Sequence, residues 1–460
     1  GDYFDFGHTS QITRNVLLNP DRFFKVRPRI TKTQTEKSNR TRKKAEVFTP
    51  SWICNKMNNY CDEEWFLRKN VFNTEQENSW ERTEEKIEFP EGKTWMDYVL
   101  SRHLEITCGE APYLVSRYDA SSGDYIPIDK RIGILDRKLR VINENTTTYQ
   151  TWISWVYKAY ESVYGYEFQG DNLLIARINL LETFCEYMID RWGKPPYTST
   201  LKRIANIISH NIWQMDGINA VVPYSNNNCG ENTDKSGTLD IDEIYSELKK
   251  EKSKPMDCII YDWQKNETVI YKNIGRDSET MKFDFVIGNP PYQDETLGEN
   301  VTYAPPVYNI FMNAAYEVCN KAELIHPGRF LFNAGSTPKA WNKKMLDDEH
   351  FKVLYYEQDS CKIFNNTDIK GGIAITYHDV TKTFDAVKTF TPFTELNSIM
   401  RKVKKSNGFL SLSNIVFSAY SNKFTTIMHN EHPDVISIMS KGHTFDLKSN
   451  VFEKLPNIFL

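Results

Sequence analysis

One decapeptide gathers the residue types that could do chemistry: Phe283-Asp284-Phe285-Val286-Ile287-Gly288-Asn289-Pro290-Pro291-Tyr292. An apolar run of strand length ends in a side-chain amide, two prolines and an aromatic ring. Asn289 offers a side-chain oxygen and Pro290 a main-chain carbonyl, and the prolines restrict φ so that both acceptors keep their direction. Two convergent acceptors suit an exocyclic amine on a conjugated ring, whose delocalised lone pair makes it a poor nucleophile. Accepting both N–H hydrogens draws that nitrogen toward tetrahedral geometry and aims the lone pair at an electrophile. Tyr292 adds a flat face on which a ring taken out of a base stack can lie. The plainer alternative is a Pro-Pro turn that only ends a strand.

Such a tetrapeptide needs a rigid frame. Leu104-Glu105-Ile106-Thr107 is a short strand candidate that runs into Cys108-Gly109, and 162–168 is a second that ends near Glu167. After it, Leu174, Ile178, Leu181 and Phe184 recur at helical spacing. A further helix over 307–318 and a strand over 322–330 follow the tetrapeptide. Apolar runs alternating with helical periodicity predict an α/β fold with a doubly wound, mostly parallel sheet. Ligands of such sheets bind beyond the carboxyl ends of the strands, which is where the tetrapeptide would stand. Upstream, Thr49-Pro50-Ser51 predicts a helix start, with Thr49 as cap and Pro50 in the first turn. Residues 119–161 exceed what one crossover requires and read as an insertion, and the polar stretch 225–257 reads as another.

The whole-chain totals bound the rest. At 460 residues the chain has room for two folded units, or for one large domain with insertions. No apolar stretch of about 18 residues occurs, and residues 1–30 lack an apolar signal-peptide centre. The expectation is a cytoplasmic protein without a membrane span. Eight cysteines are spread singly, with no C-x-x-C pair, so neither a zinc site nor a disulfide framework is expected, and no metal is called for. The net charge of −4 is unevenly placed. From Thr31 to Ala45 there are six basic residues and one acid, and from Thr381 to Leu460 ten Lys/Arg and six Asp/Glu. Basic ends fit phosphate contacts to nucleic acid, or simply solvated charge runs.

Taken together these motifs resemble the amino-methyltransferases of restriction-modification systems, in particular the gamma-class adenine-N6 DNA methylases related to type IIG enzymes, over about Glu46 to Asp379. The resemblance implies the class I methyltransferase fold with a seven-stranded sheet, S-adenosylmethionine as cofactor and double-stranded DNA as partner. It also implies base flipping, with any cleavage activity in a separate endonuclease subunit or in further sequence. By resemblance, Phe48, Thr49 and Pro50 contact the methionine part of the cofactor. Glu105, Thr107, Cys108 and Gly109 form the turn at its amino-acid end. Here Glu105 stands for the usual Asp, Thr107 lies at or beside the usual Pro, and Ala111 stands for the second Gly. Glu167, followed by Ala176-Arg177-Ile178-Asn179-Leu180, accepts the ribose hydroxyls, with Asp136 as the competing candidate. Asp216 reads the cofactor's adenine amino group, with Ile212 or Met215 packed on its ring. Asn289, Pro290, Pro291 and Tyr292 hold the target adenine, Asn289 lies beside the methyl donor as well, and Phe364 covers the base's other face. The implied division is a basic arm over 1–45, the methyltransferase domain over 46–380 and the start of a target-recognition region over 381–460. Rival readings of the tetrapeptide are an RNA adenine or a protein glutamine as substrate, or a non-catalytic DNA-binding subunit.

Overall fold

Pro50, with φ −60° and ψ 146°, stands at the N-cap of the first helix, α1 (Ser51–Phe66), and makes no side-chain cap hydrogen bond. Asp119, distant in sequence, accepts from the Ser51 amide instead, at 2.7 Å. The expected cap, Thr49, is therefore free for another task. This computed structural model describes Thr13, residues 48–294 apart from 224, 226–254 and 277–279, and residues 304–458 apart from 365–366, 405, 407, 411, 413–414, 416–422, 440–443 and 448–450. The basic arm and most of the polar insertion at 225–257 lie outside the described residues.

After α1 come a hairpin, β1 (Asn73–Gln76) with β2 (Ser79–Arg82), the short α2 (Trp95–Leu100) and strand β3 (His103–Ile106). Two helices, α3 (Ile134–Asn145) and α4 (Tyr149–Glu161), lead to β4 (Val163–Glu167). Helices α5 (Gly170–Trp192) and α6 (Thr198–Asn211) lead to β5 (Ile212–Gln214). A second hairpin, β6 (Ile259–Asp262) with β7 (Glu267–Ile270), precedes β8 (Phe283–Gly288), α7 (Tyr308–Val318) and β9 (Cys319–Pro327). Helix α8 (Lys339–Asp347), β10 (Phe351–Glu357) and β11 (Ile373–Asp379) complete the first unit. The central sheet has seven strands in the order β10-β11-β9-β8-β3-β4-β5. Pairings from β9 through β5 are parallel, and β11 runs antiparallel between β9 and β10. The predicted α/β class and mostly parallel sheet are thus found.

Strands β3 and β4 are buried along their whole length, as expected for strands covered on both faces. One apolar layer, with Ile53, Leu139, Trp152 and Phe184, packs under α1, α3, α4 and α5. The other, with Met312, Phe330 and Trp341, lies with α7 and α8. Residues 119–161 are more than an insertion, because α3 and α4 are the crossover from β3 to β4 and bury Leu135, Leu139, Ile142, Trp152 and Val156. Gly288 ends β8 opposite Ile106, and a Cβ there would lie 2.6 Å from the Ile106 carbonyl oxygen. Only glycine permits this register right up to Asn289.

The chain divides into two compact units, Gly1–Phe390 and Thr391–Leu460. The second contains α9 (Thr394–Lys404), α10 (Thr426–Glu431), α11 (Val435–Ile438) and α12 (Val451–Lys454). Its own apolar cluster is Phe424, Val435, Val451 and Leu455. Among the described residues no helix is long and apolar enough to cross a membrane.

Candidate active site

The strand order reverses between β3 and β8, so the chain leaves these neighbouring strands toward opposite sides and opens a crevice at their carboxyl ends. The turn after β3 and the tetrapeptide after β8 face each other there. They are joined by the Thr107 hydroxyl, which donates to the Asn289 carbonyl at 3.0 Å.

Three residues of the β3 turn occupy the left-handed region: Thr107 at φ 47°, Gly109 at 55° and Ala111 at 64°. For the β-branched Thr107 and for Ala111 this is a strained conformation, costing on the order of 1–3 kcal/mol each. Ala111, where the resembling motif has glycine, keeps the backbone a glycine would adopt. Several hydrogen bonds hold the turn against this strain. The Cys108 amide donates to the Tyr166 carbonyl at 2.8 Å and the Ala111 amide to the Cys108 carbonyl at 2.7 Å. Glu105, 1% exposed, accepts from the Leu114 amide at 3.0 Å, and burial pushes its carboxyl well above the usual glutamate range. Glu105 thus supports the turn from beneath.

Glu167 ends β4 and accepts from the Gly109 amide at 2.9 Å and from the Gln169 amide at 2.9 Å, one on each oxygen. Beside it, a Cβ built on Gly109 would meet no atom within 4 Å, so the turn borders open space. Asp216, just after β5, accepts from the Ile218 and Asn219 amides at 3.0 and 3.2 Å and from the Asn219 side chain at 2.7 Å, capping its own turn. Asp136 ends no strand. It sits in the first turn of α3 and accepts from the Ser116 amide at 2.9 Å, because the apolar run before it begins a helix capped by Gly133.

Asn289 Nδ2 donates to Thr49 Oγ1 at 3.1 Å, while its Oδ1 is buried and has no hydrogen-bond partner among the described residues. The Tyr292 hydroxyl is likewise buried without such a partner. Burial drives its pKa well above the usual tyrosine range, with the Asn289 side chain acting in the opposite direction. An orphaned buried polar atom costs about 1–3 kcal/mol, and the tetrapeptide holds two such atoms, on side chains close enough to interact with each other. Tyr292 and Phe364 are neighbours, ring centroids 6.4 Å apart and planes at 61°, in an edge arrangement. Two faces gripping a planar ring would be parallel and roughly 7 Å apart, twice a carbon–carbon contact. The pair is therefore closed, and a ring enters between them only if one side chain turns. Phe48 is half-buried and Pro50 buried at the entrance to α1. The Thr49–Asn289 bond spans 240 positions and left no local signal in the sequence, nor did the Asp119–Ser51 cap.

No curated protein matches the chain. Among solved structures, an ATP-dependent type ISP restriction-modification enzyme, LlaBIII, bound to DNA is similar with a TM-score of 0.37 and 13% identity, over 74% of this chain and 19% of that one. A nuclease-deletion mutant of the type ISP enzyme LlaGI in complex with a DNA substrate mimic gives 0.37 and 13%, over 82% and 26%. The methyltransferase subunit of a type I restriction-modification system from Streptococcus thermophilus gives 0.30 and 13%, over 80% and 54%. The chain thus spans only 19%, 26% and 54% of these proteins' lengths. Residues 161–364, which hold β4, β8 and the Asn289 tetrapeptide, match the family of Eco57I restriction-modification methylases.

Proposed function

We propose that the chain methylates the exocyclic N6 of an adenine turned out of double-stranded DNA, as the modification component of a restriction-modification system. The observation that carries this reading is the Asn289 amide. Its nitrogen is held by Thr49, which leaves Oδ1 as a buried acceptor without a partner among the described residues. That atom is suited to one N–H of an incoming amine, with the Pro290 carbonyl as acceptor for the other. Tyr292 supplies the stacking face, and Phe364 the opposite face once the closed pair parts.

The residues present fit S-adenosylmethionine as the methyl source. Open space borders Gly109, and Glu167, a carboxylate at the end of β4 bonded to the Gly109 amide, would meet the ribose hydroxyls beside it. Thr107, Cys108 and Gly109 would hold the amino-acid end, with Phe48, Thr49 and Pro50 on the methionine side. Asp216, whose oxygens already cap its turn, would add a contact to the adenine amino group. When bound, the cofactor supplies a methyl group on a sulfonium, already an excellent leaving group. What the chain contributes is position: Asn289 and Pro290 orient the amine, and the strained turn places the donor.

On this reading residues 46–380 form the catalytic domain, the basic arm at 1–45 meets DNA phosphates, and residues from 381 begin a target-recognition region. Single-molecule sequencing of DNA treated with the protein and cofactor tests the reading, with RNA and a glutamine-bearing protein as parallel substrates. The expected result is N6-methyladenine at one DNA motif, lost by about 10²–10³ in rate in Asn289→Ala with cofactor binding retained. Methylation of RNA or protein alone, or an active Asn289→Ala, would overturn it.

A further inference from the structure

Away from the crevice, a cavity of about 230 Å³ lies between the β1–β2 hairpin and α3. The hairpin is latched over it by Trp80, whose Nε1 donates to the Lys130 carbonyl at 2.8 Å. Four arginines line the cavity, and two of them are fully engaged. Arg137 is bound to Asp62, Asn55, Asn59 and the Ile132 carbonyl. Arg140 is bound to Glu144 and to the carbonyls of Phe72, Thr83 and Glu85.

The other two keep unused donors. Arg82 has a buried Nε with no hydrogen-bond partner among the described residues. Arg131, 7% exposed, uses Nε on the Ile126 carbonyl and Nη2 on Glu186, while Nη1 has no partner among the described residues. In the same lining, Asp136 Oδ2 is taken by Ser116, while Oδ1 makes no hydrogen bond of good geometry among the described residues, although the Arg131 guanidinium and the Tyr187 hydroxyl stand close to this carboxyl. Two cationic donors and one carboxylate acceptor are thus left open around one cavity, each at a cost of about 1–3 kcal/mol if nothing fills it.

The set selects a ligand by its chemistry. The occupant must accept from two guanidiniums and donate one hydrogen to a carboxylate. Sulfate accepts but has no hydrogen to give at neutral pH, and a phosphodiester of a nucleic-acid backbone has none either. A phosphate monoanion or monohydrogen phosphate carries several acceptor oxygens and a P–OH, and the second ionisation of phosphomonoesters falls near pH 6. The exposed carboxylates of Asp129 and Asp190, also in the lining, further disfavour a fully deprotonated oxyanion. We propose that this cavity is a site for a protonated phosphate, either the free ion or the terminal monoester of a small molecule, held by Arg82 and Arg131 and selected over sulfate by Asp136.

The test uses the full chain in calorimetry and ³¹P NMR, titrated separately with inorganic phosphate, adenosine monophosphate and sulfate. The expected result is phosphate or monoester binding at least about tenfold tighter than sulfate, the scale of one charged hydrogen bond. Whichever of phosphate and adenosine monophosphate binds identifies the source. Arg82→Gln, a change at a partly exposed residue, should weaken binding by about tenfold while melting temperature and methyl transfer stay as in the parent protein. Asp136→Asn should narrow the preference over sulfate. Equal affinity for phosphate and sulfate, unchanged binding in Arg82→Gln, or no binding of either phosphate ligand at millimolar concentration would each overturn the proposal, the last leaving bridging water as the occupant.

Discussion

If Asn289 works as an oriented acceptor, the atom that orients it should matter to rate more than to cofactor affinity. Thr49 is 3% exposed and its hydroxyl accepts from Asn289 Nδ2 at 3.1 Å. Removing it with Thr49→Val keeps the shape and deletes one neutral hydrogen bond, worth about 0.5–1.5 kcal/mol net. If that energy is spent holding the amide in the productive orientation, the single-turnover methylation rate falls by about 2- to 13-fold. Thr49→Ser loses only a methyl group and should restore the rate, whereas Thr49→Ala should resemble Val with an added loss of stability from the cavity. The companion measurement is S-adenosylmethionine affinity by calorimetry, which should fall by less than the rate does in Thr49→Val. Two results refute the reasoning: a rate within error of the parent in Thr49→Val, or a weakened cofactor affinity with an unchanged rate. The second would assign Thr49 to the cofactor alone.

Glu167→Ala should weaken S-adenosylmethionine binding by roughly 1–3 kcal/mol in calorimetry, and Asp136→Ala, in the first turn of α3, should do much less. Reversed effects would move the ribose site to Asp136. Burial raises the Glu105 carboxyl above its unfolded value, so its neutral form favours folding at low pH and that contribution is lost as pH rises through the folded-state pKa. Glu105→Gln should therefore gain stability relative to the parent as pH increases above the usual glutamate range, read from urea denaturation at acidic and mildly alkaline pH, and a constant difference would show that Glu105 is not held neutral. The protein should bind a duplex mismatched at the target adenine more tightly than the matched site, because opening costs less there, and Tyr292→Ala should shrink that preference by about 1–3 kcal/mol. Competition binding at one fixed salt concentration measures both, and equal affinity for the two duplexes would mean that base-pair opening does not limit entry.

What the sequence determined by itself is local. The apolar run Phe283–Ile287 forms β8 up to Gly288, Glu167 ends β4, and the 3.6-residue repeat from Leu174 to Phe184 lies in α5. These patterns were legible because strand and helix periodicity and the backbone restriction of Pro290 and Pro291 act over a few residues. Even locally, an apolar start could mislead: Gly133-Ile134-Leu135 looks like a strand ending in Asp136, and only packing of Leu135 and Leu139 into the core makes it a helix start. Tertiary structure alone decided which partners meet. Thr49 bonds Asn289 rather than capping α1, Asp119 takes over the cap, and Tyr292 and Phe364 stand edge to face rather than as parallel walls. Each outcome depends on the sheet order that brings β3 against β8 and on the packing of α1 against that sheet. A hydroxyl or ring finds its partner by proximity in space, and proximity across 240 residues is set by the whole packed fold, not by any short stretch of chain.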